Sequence, residues 1–95
     1  MNISTVGLRV LTSFMASPST PLHGYDLMRA AKVSSGTLYP LLLRFEREGL
    51  LTSKWEEVDA KEEGRPRRRL YTITGSGQRA VLEHLQQFGA RWAPT

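Results

Sequence analysis

The stretch Ser34–Leu50, SSGTLYPLLLRFEREGL, decides how the rest of the chain is read. Leu38, Leu41, Leu42 and Phe45 recur at steps of three, four and seven from Leu38, the spacing that gathers side chains on one face of an α-helix. Ser34 stands where a hydroxyl can cap the open N–H groups of a first turn. Gly49 suits the left-handed residue that ends many helices, with Leu50 folding back onto the last turn. A helix is therefore predicted over Ser35–Glu48. Pro40 removes one donor and crowds the carbonyl four residues back. That residue is Gly36, which has no side chain and can adjust, so a local distortion is expected rather than a break. The opposite face shows Thr37, Tyr39, Arg44 and Arg47, groups that can meet phosphates or base edges.

Upstream, Ser4–Ser17 reads as a first helix. Val6, Val10, Leu11, Phe14 and Met15 fall at helical spacing, Ser4 or Thr5 serves as cap, and Pro18 closes the segment. Pro18–Pro21 is a turn. Leu22–Lys32 reads as a short second helix with Tyr25, Met28 and Ala31 on one side. Gly24 within it is costly in a helix, and a close packing contact is its expected reason. Downstream, Leu51–Val58 alternates, with Leu51, Ser53 and Trp55 on one face. Asp59–Pro66 suits a flexible hairpin tip, and Arg67–Thr74 is the return strand, with Tyr71 and Ile73 pointing inward. Thr74 can cap a last helix reaching about Arg91. Val81, Leu85, Phe88 and Trp92, spaced four, three and four, form a coiled-coil-like seam along it, and Leu82 adds a second line.

A chain of 95 residues supports one modest core and gains from oligomerisation. No apolar run approaches the roughly 20 residues of a membrane span. The N-terminus lacks the basic start and apolar core of a signal peptide. The absence of cysteine excludes disulfides and thiolate metal sites. A cytoplasmic protein with no membrane partner is expected. The formal net charge of +4 is segregated: Glu56, Glu57, Asp59, Glu62 and Glu63 are followed at once by Arg65, Arg67, Arg68 and Arg69.

Those four arginines can neutralise phosphates, and arginine is the residue a narrow minor groove attracts. Alternation along a strand points Arg68 opposite to Arg67 and Arg69. The competing explanation is a solvated charge run balanced by its acidic neighbours. Ser34, Ser35 and Thr37 likewise can hold a phosphate at the positive end of a helix or act as caps alone. Tyr39 can meet a phosphate or thymine methyl, or be partly buried. The expected fold is mainly α with a small β hairpin (α+β): a winged helix-turn-helix in the order helix, helix, helix, strand, strand, helix. Residues 1–74 form the winged helix-turn-helix DNA-binding part and residues 75–95 a C-terminal dimerisation helix, within one compact structural domain.

The Leu22-His23-Gly24-Tyr25-Asp26-Leu27 stretch, the run Ser35-Gly36-Thr37-Leu38-Tyr39-Pro40-Leu41-Leu42 and the helix end Glu48-Gly49-Leu50 resemble the PadR-like transcriptional regulators. So do Pro66-Arg67-Arg68-Arg69, Tyr71 and the Thr74-x-x-Gly77 start of the last helix. The resemblance spans almost the whole chain in the right order. It implies a dimeric repressor on a pseudo-palindromic operator in double-stranded DNA, with the third helix in the major groove and the wing on flanking backbone or minor groove. It implies a homodimer built from the first and last helices, for which Val6, Val10, Val81, Leu85, Phe88 and Trp92 are the candidate contacts. It also raises a small aromatic effector at that interface, with Phe88 and Trp92 as its candidate residues; the alternative is that Trp92 is simply an interface core residue. The Lys32-Val33-Ser34 link is shorter than in many relatives. The chain stops just after the last helix, as in a compact member of the family.

An enzyme is not expected, and no cofactor or metal is implied. His23 and His84 lie far apart, and no phosphate loop or nucleophile motif is present. The rival from another class is a winged helix used for protein–protein contact without DNA binding. Such a module has no need of an arginine cluster beside a hydroxyl-rich helix start.

Overall fold

The computed structural model describes residues 3–92, with side chains described as far as residue 87. Its elements are α1 (Thr5–Thr12), β1 (Leu22–His23), α2 (Gly24–Ala31), α3 (Ser35–Arg47), β2 (Leu51–Trp55), α4 (Ala60–Glu63), β3 (Arg69–Ile73) and α5 (Gly75–Trp92). The expected winged helix, mainly α with a small β hairpin, is present, with two additions: the strand β1 and the single-turn helix α4.

Local chemistry explains most of the boundaries. Ser4 caps α1 by accepting the Gly7 N–H at 3.0 Å. The helix ends at Thr12, five residues before the expected Ser17. Ser13 and Thr12 hydroxyls donate to the Arg9 carbonyl at 2.8 and 3.1 Å, and Phe14 and Met15 then bond only three residues back. This tightened turn replaces the last helical turn. Lys32 ends α2 in the left-handed region (φ 55°), and its N–H and that of Val33 both reach the Met28 carbonyl. That reversal lets Lys32–Ser34 alone join α2 to α3.

α3 runs through Pro40 as expected, and Gly36 has open space around it. It ends in a Schellman turn: Gly49 (φ 76°) donates to Glu46, and Leu50 to Phe45 at 2.8 Å.

The sheet is antiparallel in the order β1-β3-β2, with Ser53 opposite Tyr71 and Leu22 opposite Tyr71 on the other side. Leu22 and His23, expected to be helical, instead pair with β3, and α2 starts at Gly24. β3 is shorter than its expected span, so Arg67 and Arg68 precede it. Val10, Leu11, Phe14, Leu27, Leu38, Leu42, Phe45, Leu51 and Val81 are at most 1% exposed and form the centre of the core. Burying each such side chain contributes roughly 1.5–3 kcal/mol. Tyr71 and Ile73 face inward as their alternation required.

Thr74 joins the wing to α5. Its hydroxyl accepts the Gly77 N–H at 2.9 Å and donates to the Gly49 carbonyl at 2.7 Å, while its N–H reaches the Leu50 carbonyl. Gly77 packs so close that a Cβ there would run into the Leu50 carbonyl oxygen and the Ile73 side chain. The Thr74-x-x-Gly77 pattern is thus a helix start pressed against the end of α3.

Candidate nucleic-acid interface

Successive residues of α3 are about 100° apart around its axis. Leu38, Leu42 and Phe45 point into the core. Gly36, Pro40, Leu43 and Arg47 then form the outermost ridge, and all four are exposed. Thr37 and Arg44 fall on one flank; Tyr39 and Glu46 fall on the flank toward the wing. The polar face expected as a unit is therefore split by an apolar ridge.

Ser34 occupies the cap position, but its side chain makes no cap hydrogen bond; its hydroxyl reaches Thr37 Oγ1 at 3.4 Å. Ser34, Ser35 and Thr37 are all exposed at this open helix start. Arg44 Nε lies 3.3 Å from Glu48 Oε1. Tyr39 is 49% exposed, and its hydroxyl sits over Gly24, where any Cβ would collide with it. The reason for a glycine at the head of α2 is therefore the α3 tyrosine. Tyr25, expected to pack with Met28 and Ala31, is 63% exposed and lies under the Arg29 guanidinium.

The wing tip is built rather than loose. Asp59 caps the single turn α4, accepting from the Lys61 and Glu62 N–H groups, and Gly64 ends it at φ 68°. Glu56 latches both sides of the wing. It takes two bonds from the Arg65 guanidinium, at 2.7 and 3.2 Å, and one from the Arg68 N–H at 2.8 Å. The Arg65 hydrogen bond is the main reason its carboxyl is held down to about 2; the Arg68 N–H and both guanidinium charges add to it.

The four wing arginines consequently differ. Arg65 is engaged by Glu56. Arg69 leans back to α3: its Nε donates to Ser53 Oγ at 2.9 Å, Ser53 donates to Glu46 Oε1 at 2.8 Å, and the guanidinium covers the Trp55 ring at 5.1 Å. Arg67 and Arg68 are exposed. Arg67 Nε donates to the Val58 carbonyl, and Arg68 lies 3.1 Å from His23 Nε2. Neither has a carboxylate in ion-pair range among the described residues. His23 caps α2 through Nδ1 and borders the wing because β1 pairs with β3.

These parts enclose one cleft of about 530 Å³ between Tyr39, Tyr25, His23, Trp55 and Arg67–Arg69. A second hollow of about 510 Å³, beyond Tyr39, is lined by Leu43, Arg47 and Arg69. Trp55, Leu43, Tyr25 and Glu46 line these hollows without having been among the expected site residues. The Ser53–Trp55 alternation was the one signal that placed Trp55 on the face that turned out to carry Arg69.

Among the candidate dimer contacts, Val10 and Val81 have no exposed surface and belong to the chain's own core, so they have nothing left to offer a partner. Val6 is half-buried. Leu82 and Leu85 are 53% and 45% exposed on α5. The side chains of Phe88 and Trp92 lie outside those described.

The arrangement of helices, three-stranded sheet and wing defines a winged-helix protein. A family model described as the Transcriptional regulator PadR-like family matches residues 15–83, and the chain belongs to that family. Its members are regulators of transcription, not enzymes. Transcriptional regulator Rv3488 of Mycobacterium tuberculosis is 43% identical over 61 residues, 64% of this chain; the match spans about half of that relative (47%). A PadR family transcriptional regulator from Eggerthella lenta superposes with a TM-score of 0.70 at 29% identity, covering 88% of this chain and 74% of that one. A PadR-like regulator from Bacillus cereus gives 0.67 at 27%, covering 88% and 84%. No helix among the described residues is long and apolar enough to cross a membrane.

Proposed function

We propose that this chain binds double-stranded DNA as a symmetric homodimer and represses transcription at a pseudo-palindromic operator. α3 enters the major groove; Arg67 and Arg68 lie on the flanking backbone or in the minor groove. One observation carries this proposal: Tyr39, on the flank of α3, lines the same cleft as Arg67 and Arg68, whose guanidinium groups have no carboxylate in ion-pair range among the described residues. The strand that separates a major from a minor groove runs along it. Ser34, Ser35 and Thr37 hold a phosphate at the open start of α3, Tyr39 meets the backbone beside it, and Arg44 and Arg47 reach phosphates further along. Arg65 and Arg69 support the site by fixing the wing to Glu56 and to α3.

The partner copy packs on α5 over Leu82 and Leu85, whose exposed stripe Phe88 and Trp92 continue in sequence. A small aromatic effector between the paired Phe88 and Trp92 residues is the proposed release signal. The whole acts in the cytoplasm.

Fluorescence anisotropy with random and genomic duplexes at two salt concentrations tests the proposal. A dimer neutralising about six phosphates loses roughly a thousand-fold in affinity between 50 and 200 mM salt. Binding that ignores salt, or no binding at all in dilute buffer, would overturn it.

A further inference from the structure

The ridge of α3 that projects furthest from the core carries little hydrogen-bonding capacity. Gly36 and Pro40 offer no polar side-chain atom, Leu43 none, and only Arg47 brings donors. Leu43 is 58% exposed, more than Tyr39 beside it, and the two line one hollow with Arg47 and Arg69. Glu46, a carboxylate that lines the same hollow, is already bonded to Ser53. A leucine on the outward ridge of a groove-entering helix cannot satisfy a base donor or acceptor. Opposite cytosine, guanine or adenine it strands a polar edge, whereas the C5-methyl of thymine is the one apolar group displayed in the major groove.

We infer that Leu43 is a specificity-determining residue that selects a thymine in each operator half-site by contact with its methyl group. This rests on the DNA-binding proposal above. Discrimination here comes from what the leucine refuses as much as from what it gains. Removing one buried methyl contact is expected to weaken binding about four-fold. In a symmetric dimer, removing both is expected to weaken it about fifteen-fold.

The test begins by selecting duplexes from a random library with the wild-type protein. Each thymine of the selected duplex is then replaced in turn by deoxyuridine, which lacks only the methyl. Wild-type protein should lose about four-fold at one thymine per half-site. Leu43→Ala should show no loss at that thymine, and Leu43→Met, which keeps an apolar reach, should restore it. Equal sensitivity of wild type and Leu43→Ala at every thymine sinks the assignment while leaving DNA binding intact. So does a wild-type protein indifferent to all the replacements. If the library yields no bound duplex at all, the DNA-binding proposal fails first and Leu43 falls with it.

Discussion

Replacing Gly77 by alanine should destabilise this protein although the position is helical. Alanine would ordinarily gain about 0.5–1 kcal/mol over glycine inside a helix. Here the added Cβ meets the Leu50 carbonyl oxygen and Ile73 Cγ1. The carbonyl cannot retreat cheaply, because it accepts from Thr74 N–H at 3.0 Å and the Leu50 N–H is tied to Phe45 at 2.8 Å. Overpacking of this kind costs about 1–3 kcal/mol. The steric term wins, leaving a net loss of about 1–2 kcal/mol, or about 5–10 °C in Tm for a chain of this size. Gly36→Ala is the matched control, since nothing lies within 4 Å of its added Cβ. It should gain up to about 1 kcal/mol. Thermal unfolding at one protein concentration, followed by circular dichroism, measures both. A Gly77→Ala variant as stable as wild type, or a Gly36→Ala variant that loses as much as Gly77→Ala, would refute the packing described at the α3–α5 junction.

Arg68→Ala should weaken binding to all duplexes alike and lower the salt slope by about 2 in a dimer, one contact per copy; anisotropy at four salt concentrations reads this, and an unchanged slope removes Arg68 from the phosphate contacts. Leu85→Asp should shift the protein toward monomer in sedimentation velocity, whereas Val6→Ala should change it less; an unaltered oligomeric state contradicts a partner seated on α5. The Glu56 carboxyl is depressed from 4.5 to about 2, so the latch it gives the wing is complete above its ordinary titration range and is lost as pH falls through about 2. The Arg68 amide, followed by NMR, should therefore titrate with a midpoint near 2, and a midpoint near 4.5 would show that Arg65 does not hold the carboxylate in solution.

The helix elements were legible where one residue's chemistry suffices. The Ser4 cap, the Gly49 stop and the Thr74 start all follow from local hydrogen bonding and sterics, and α3 runs on through Pro40. The strand β1 was not, because two residues at the head of a helical pattern reveal pairing only when β3 arrives beside them. The early end of α1 was missed for a subtler reason. The hydroxyls of Thr12 and Ser13 turn back on the Arg9 carbonyl, a choice that helical periodicity cannot display.

By itself, the order of residues determined the cap of the first helix, the glycine stop of the third and the polar, glycine-bearing turn of the hairpin, since each depends on neighbours a few positions away. Which arginine is spoken for by Glu56, which leans on Trp55 and Glu46, and which two have a guanidinium with no carboxylate in ion-pair range among the described residues was decided only in three dimensions. So was the assignment of Val10 and Val81 to the interior and of Leu43 to the outermost ridge. Charge and apolar character are properties of a residue, but partnership and exposure are properties of the surface it ends up sharing.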